Sequence, residues 1–275
     1  MADAAQIVEG LGADIVDVNM GCPVPKIAKH NAGCSLMREP GHAAAVIAAM
    51  AKRVNIPVTV KMRAGWNEDS INAPELARRV EGAGAAAVAV HGRTASQSYS
   101  GYADWDLVER VAQSVNIPVL GSGDCVEPED VVARLASGVS GVLVGRGVLR
   151  NPWILAQAAD LAAGRSAREV TLQDRGRFLL SYMDLLLTED GGEPAGFRHR
   201  AAQTGAAVQD AKRDGERGRH ERWVINKLRA LMSWYSKGLH NGGHLRTQVN
   251  AAASISQVRD IIQEFFAQAP VGRTT

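Results

Sequence analysis

Cysteine is scarce in this chain. Three occur in 275 residues, Cys22, Cys34 and Cys125. An odd, sparse set excludes a disulfide framework and reads as reduced thiols of a cytoplasmic protein. No CxxC pair is present, so a structural zinc site is excluded and no metal is expected. Long apolar runs are missing too. The longest, AAAVIAAMA at 43–51, is far too short to span a bilayer. The opening MADAAQIVEGLGAD carries acidic residues and no basic n-region, so it does not read as a signal peptide. Net charge is nearly absent: 31 Lys and Arg against 29 Asp and Glu leave +2. That balance demands no nucleic-acid partner, and local clustering must decide the matter. No GxGxxG occurs, which disfavours a dinucleotide-binding fold.

What is present is a repeating texture. Apolar residues make up 46% of the chain, enough for a packed core. Short β-branched runs at 13–19, 56–63, 86–93, 117–124 and 140–146 alternate with Ala-rich stretches. Helices are expected over Pro40–Lys52, Ala73–Gly82, Trp105–Ser114 and Glu127–Ser137, opened by Pro74, Asp104 and Glu127. This alternation predicts an α/β fold with a parallel sheet covered by helices. The string VNIPV occurs at Val54–Val58 and again at Val115–Val119. It reads either as a mark of equivalent βα corners or as a common way into a buried strand. After Trp153 the texture becomes helical. Helices are expected in the stretch beginning LQDRGRF and ending at Gly191-Gly192, over 223–239 with Val224, Leu228, Leu231, Tyr235 and Leu239 at helical spacing, and over 254–266.

Polar residues collect where the strands end: Asn19 and Cys22, Lys61 and Arg63, His91 and Arg93, Ser122 and Asp124, Gly145 and Arg146. Ligands of parallel α/β folds gather at this rim. Taken alone, Arg93 reads as a solvated loop charge. The turns GSGD at 121–124 and VGRG at 144–147 put glycines where backbone N–H groups approach a phosphate, and Arg146 adds a cation.

The ordered strings VDVNMGCPVPK…AGCSLM, VTVKMRAGW, VAVHGRT, GSGD and VGRGVLRNPWI resemble the tRNA-dihydrouridine synthases, nearest to the DusB type. The resemblance covers roughly residues 1–160 and continues more loosely through HERWVINKLRALMSWYSKGL. It implies an FMN-dependent (β/α)₈ TIM barrel followed by a helical tRNA-binding domain, reducing uridines of tRNA with NADPH. It implies roles for individual residues. Cys22 protonates C5 of uracil while reduced FMN delivers hydride to C6. Asn19 binds the uracil edge, Arg63 neighbours uracil or flavin, and Tyr99 stacks on the extruded base. Lys61 lies at the flavin pyrimidine edge and His91 contacts the flavin. Ser122, Gly123, Asp124, Gly145 and Arg146 form the phosphate cradle, with Ser122 standing where many relatives have Asn.

Measured against that family, three strands and the motifs PMAG and Q-[LI]-F-G are expected before VDVN and are not found. The expectation is therefore an N-terminally truncated barrel, about strands four to eight, over residues 1–160, then a helical tRNA-binding domain over 161–275 with a flexible segment at 193–222. Such an arc is expected to expose Val16, Val18, Val60 and Val90 or their neighbours, and to hold FMN poorly by itself. From Gly196 to Arg246 there are eleven Lys or Arg against four Asp or Glu, which predicts a tRNA backbone footprint. Two other readings stand beside this one. The first is another FMN barrel oxidoreductase, dihydroorotate-dehydrogenase-like, expected to lack a basic helical domain. The second is a truncated, non-catalytic RNA-binding remnant, which the intact Cys22, Lys61 and His91 oppose.

Overall fold

Each β-branched run becomes a strand, and helices separate every strand from the next. The computed structural model describes residues 1–28, 31–189 and 207–268. The order is α1 (Ala2–Gly10), β1 (Val16–Met20), α2 (Pro25–Ala28), α3 (Pro40–Ala51), β2 (Val58–Arg63), α4 (Ala73–Gly82), β3 (Ala87–His91), α5 (Trp105–Ser114), β4 (Val119–Ser122), α6 (Pro128–Leu135), β5 (Gly141–Leu143), α7 (Arg146–Arg150) and α8 (Ile154–Ala162). All strand pairs are parallel, and the strands lie in sequence order from β1 to β5.

Alternation within the strands decides which face is covered. Val18, Met20, Val58, Val60, Met62, Val88, Val90 and Val119 are buried together with Ile47, Leu76, Val80, Val108 and Val111 of the helices. Each such aliphatic side chain removed from water contributes about 1.5–3 kcal/mol. The other face carries Asp17, Asn19, Thr59, Lys61, Ala87 and Ala89, all half-buried or exposed. The expectation of Val16, Val18, Val60 and Val90 or their neighbours on the open face resolves to the neighbours, not to Val18, Val60 and Val90. They are at most 2% exposed, and the open face belongs to the residues between them. On that face Thr59 donates to Asp17 at 2.7 Å.

The VNIPV echo is structural. Glu9 at the end of α1 accepts from the N–H groups of Asn55 and Ile56 at 2.7 and 3.3 Å. Glu81 at the end of α4 accepts from Asn116 and Ile117 at 2.7 and 3.2 Å. Each helix thus pins the start of the strand after next, and the two copies occupy equivalent corners.

The chain divides into two compact units, Met1–Ala167 and Arg168–Thr275. The boundary falls seven residues after the expected 160, because α8 packs on α6 and belongs to the first unit. The second unit contains α9 (Leu172–Thr188), α10 (Ala207–Tyr235), α11 (Gly242–Ala251) and α12 (Ile255–Gln268). A reciprocal cap between Thr171 and Asp174 opens α9. Tyr235 is buried, donates to the Arg175 carbonyl at 2.9 Å and stacks with Phe178. Of the segment expected to be flexible at 193–222, residues up to 206 lie outside the described residues. Residues 207–222 are helical. Their many straight-chain Lys, Arg, Glu and Gln residues favour a helix despite Gly215 and Gly218. Among the described residues no helix is long and apolar enough to cross a membrane.

Candidate active site

The site begins with the loop after β1. The Asn19 Oδ1 accepts from the N–H groups of Gly21 at 2.9 Å and Cys22 at 3.0 Å. The amide therefore folds the chain back on itself and sets Cys22 at the strand exit. The Cys22 carbonyl accepts from Cys34 N–H at 3.1 Å. That approach depends on Gly33, which has φ +58° and whose Cβ would lie 2.8 Å from the Cys22 oxygen. Cys22 is half-buried, whereas Cys34 and Cys125 are buried. Burial raises the Cys34 thiol above its ordinary range and pushes Cys125 up to about 11, leaving both protonated.

Parallel register then aligns the next residues. Lys61 pairs with Asn19 on one side and Ala89 on the other, and Arg63, His91 and Ser122 form one row across β2, β3 and β4. Arg63 is 3% exposed. Its Nε donates to the Gly21 carbonyl at 2.9 Å, and Nη1 donates to the carbonyls of Thr94 at 2.9 Å and Ser98 at 2.8 Å. One guanidinium thus ties the Cys22 loop to the loop after β3. Lys61 is half-buried and makes no hydrogen bond among the described residues. Burial and then the nearby Arg63 charge lower its pKa. His91 is held down to about 3, first by burial and then by Arg63, Lys61 and Arg93, so the ring is neutral. Its Nε2 lies 3.5 Å from Nη1 of Arg93. Arginine can only donate, so Nε2 is the acceptor and the proton sits on Nδ1.

Arg93 is not a solvated loop charge. It is 2% exposed. Its Nη2 reaches both Asp124 oxygens at 2.6 and 2.9 Å and the Gly101 carbonyl at 2.7 Å, and Nε reaches the Ser100 carbonyl at 3.1 Å. Asp124 also accepts from Ala103 N–H at 2.7 Å. Burial would raise the Asp124 pKa, but the Ala103 and Arg93 hydrogen bonds outweigh it and hold it low. Its carboxylate is therefore committed to Arg93 and Ala103. Gly123 has φ +124°, and a Cβ there would come within 2.5 Å of Ala103 and 3.1 Å of the His91 ring. Beyond β5, Gly145 caps the short α7 and Arg146 opens it. Tyr99, 59% exposed, lies between two cations: the Arg146 Cζ is 4.5 Å from its ring centre and the Arg63 Cζ is 5.8 Å away.

All eleven residues singled out from the sequence thus lie at strand exits or in the loops that follow them. Asn19, Cys22 and Arg63 are joined through one loop, His91, Asp124 and Gly123 are joined around Arg93, and Tyr99 meets Arg146. The residues missed are Arg93 and Gly33. The first looked like any post-strand charge. The second carries a legible signal in its place one residue before Cys34 of the AGCSLM string.

A family model for dihydrouridine synthase (Dus) matches residues 1–269. A probable tRNA-dihydrouridine synthase of Rhizobium leguminosarum bv. phaseoli is 47% identical over 164 residues, 58% of this chain and 52% of that protein. One of Rickettsia bellii is 35% identical over 268 residues, 97% of this chain and 73% of that protein. A tRNA-dihydrouridine synthase B of Pseudomonas syringae pv. tomato is 37% identical over 188 residues, 68% of this chain and 56% of that protein. The chain spans about half the length of the Rhizobium relative.

Proposed function

We propose that this chain, which belongs to the dihydrouridine synthase family, reduces the C5–C6 bond of uridine in tRNA in an FMN-dependent reaction driven by NADPH. The observation that carries this reading is a thiol on a loop fixed by Asn19, Gly33 and Arg63, at the edge of a cation-rich strand face. The five βα units in sequence order are read as an arc of a (β/α)₈ barrel, since a doubly wound sheet reverses strand order at a switch point.

The residues present fit FMN. Lys61 and the neutral His91 suit the polar edge of its ring system, and Gly123, Gly145 and Arg146 suit its phosphate, with Ser122 beside them in the His91 row. Asp124 acts on that cradle indirectly, by holding Arg93. Bound there and reduced by NADPH, the flavin would supply hydride to C6 of uracil. Cys22 gives the proton to C5, so the base gains two hydrogens and the thiolate is reprotonated from solvent. Asn19 has spent Oδ1 on the Cys22 loop, which leaves Nδ2 to offer a uracil carbonyl. Arg63 is a positioning residue, because its Nε and Nη1 are committed to carbonyls of two loops. Lys61 places positive charge where negative charge grows on flavin reduction. Tyr99, exposed between Arg63 and Arg146, offers a face to an extruded base.

In the helical unit, α10 and the turn after it expose Arg219, Arg222, Lys227 and Lys237, with Lys227 over Trp223 and Lys237 over Trp234. Cations interleaved with aromatics suit an RNA backbone and distinguish this reading from a small-molecule flavin oxidoreductase. The test is expression in a host lacking its own dihydrouridine synthases, with tRNA analysed by mass spectrometry. Dihydrouridine should appear with the parent protein and vanish with Cys22→Ala, while the purified variant holds as much NADPH-reducible flavin as the parent does. An undiminished dihydrouridine yield from Cys22→Ala would remove Cys22 as the acid. Its absence with both proteins would remove the activity.

A further inference from the structure

A groove beside Cys22 has features that uridine reduction alone does not use. Two adjoining cavities, of about 470 and 410 Å³, share Arg38 and Trp66. The smaller reaches Pro23 and Cys34, the immediate neighbours of Cys22 in sequence and in space. Trp66 is half-buried on a loop with little freedom. Its carbonyl accepts from Ser96 N–H at 2.9 Å and from Ser96 Oγ at 3.0 Å, and Gly65 accepts from Ala95 N–H at 2.9 Å. The same loop is closed by a bridge between Gly65 and Ile71. Arg38 is exposed, its Cζ lies 4.9 Å from the Trp66 ring centre, and it forms no ion pair among the described residues.

The lining of each cavity points to its occupant. The larger contains Asp69, which repels a phosphate. Among the described residues the smaller has no acidic residue, and it offers proline rings, the Asn31 amide, the Ser96 hydroxyl, an indole face and a cation. An aromatic platform with an adjacent guanidinium is the arrangement on which a base stacks while its phosphate is neutralised. A uridine drawn out of its stack also brings its strand neighbours to the rim of the site, where they must be accommodated.

We propose that the smaller cavity is a subsite for the nucleotide adjacent to the reacting uridine, its base against Trp66 and its phosphate on Arg38. This rests on the uridine-reducing reading. It assigns to Trp66 and Arg38 the affinity for single-stranded RNA at the site, separate from the basic face of α10.

The probes are a short uridine-containing single-stranded RNA and whole tRNA, titrated against the parent protein and the variants Trp66→Leu, Trp66→Phe and Arg38→Gln. Trp66→Leu should weaken the short RNA about ten-fold and Trp66→Phe should restore most of that loss, as expected for one stacked base. Arg38→Gln should lower the log–log salt slope by about 0.7, the value for one phosphate of a single strand. Flavin reduction by NADPH should be the same in all four proteins. If Trp66→Leu binds the short RNA as the parent does, the subsite is wrong while uridine reduction stands. If the parent binds neither RNA, the subsite and the uridine reading fall together. Should Trp66→Leu not fold, the exposed Arg38 carries the decision, and an unchanged salt slope in Arg38→Gln overturns the proposal.

Discussion

Replacing Arg93 with Met removes a cation while keeping most of the side-chain volume. Arg93 is 3% exposed along its side chain and Asp124 is 24% exposed. Deleting one partner of a buried ion pair costs about 3–5 kcal/mol, because the other charge is left without compensation. Asp124 keeps the Ala103 N–H and some water, which argues for the lower end, about 3 kcal/mol. The Ser100 and Gly101 carbonyls also lose their donor. Asp124→Asn is milder, about 1–2 kcal/mol, since the amide oxygen still accepts from Arg93 or Ala103. The double variant should lose less than the sum of the two, with a coupling of about 2 kcal/mol. Urea denaturation followed by far-ultraviolet circular dichroism gives the three losses. Tryptophan fluorescence adds a local view, because the Trp105 indole donates to the Gly123 carbonyl next to Asp124. The depressed carboxyl makes a second demand. Its contribution is complete above the unfolded value near 3.9 and lost as pH falls through the lower folded value, so the parent's advantage over Arg93→Met should narrow in acid. A loss below about 1 kcal/mol for Arg93→Met, or strictly additive losses, would refute the claim that this pair organises the rim.

Gly33→Ala puts a Cβ 2.8 Å from the Cys22 carbonyl at φ +58°; it should cost about 1–3 kcal/mol and change the alkylation rate of Cys22, and an unaltered melting curve and rate would show the loop is not fixed there. His91, neutral in the fold with a pKa of about 3, binds a proton more readily when unfolded; stability should be full above about pH 6.5 and fall by at most about 1.4 kcal/mol per pH unit below it, with His91→Leu flattening the profile. A parent profile as flat as the variant's would contradict the buried neutral ring. Neutralising Arg219, Arg222 and Lys227 together should lower the log–log salt slope of tRNA binding by about 0.7–0.9 for each phosphate no longer neutralised and leave FMN affinity alone, and an unchanged slope would mean that α10 presents these charges to solvent.

Much of the first unit was readable because its information is local. Period-two alternation in VDVNM and VTVKMR separates Val18 and Val60 from Asn19 and Lys61, and the parallel register then carries Arg63, His91 and Ser122 into one row. Helix starts followed from Asp104, whose Oδ1 accepts from Leu107 N–H at 2.8 Å. What was misread depends on partners far along the chain. Arg93 is buried because Asp124, 31 residues later, and two carbonyls of the following loop close over it. Nothing within its own strand announces that. The alternation likewise says which residues share a face but not which face the helices take, so it leaves open whether the valines or their neighbours are covered. In the second unit α11 went unread because Gly242 and Gly243 open it, and glycines there look like a break.

The charges around His91 explain why this rim calls for a ligand rather than merely tolerating one. Three cations, Lys61, Arg63 and Arg93, all depress the same imidazole. Among the described residues only Arg93 of the three has a carboxylate in contact with it. The Arg63 hydrogen bonds run to neutral carbonyls, which solvate a guanidinium without cancelling its charge. Asp17 raises the Lys61 pKa, yet the net direction is downward. Clustered, partly desolvated like charges are unfavourable by several kcal/mol unless compensated. A sheet face evolved only for packing would carry apolar residues there, as the opposite face does. An anionic group, or negative charge that grows during a reaction, relieves this repulsion on binding or in the transition state. On the proposed reading, the same positive field becomes differential stabilisation of the charged state, which is the condition for catalysis and not only for affinity.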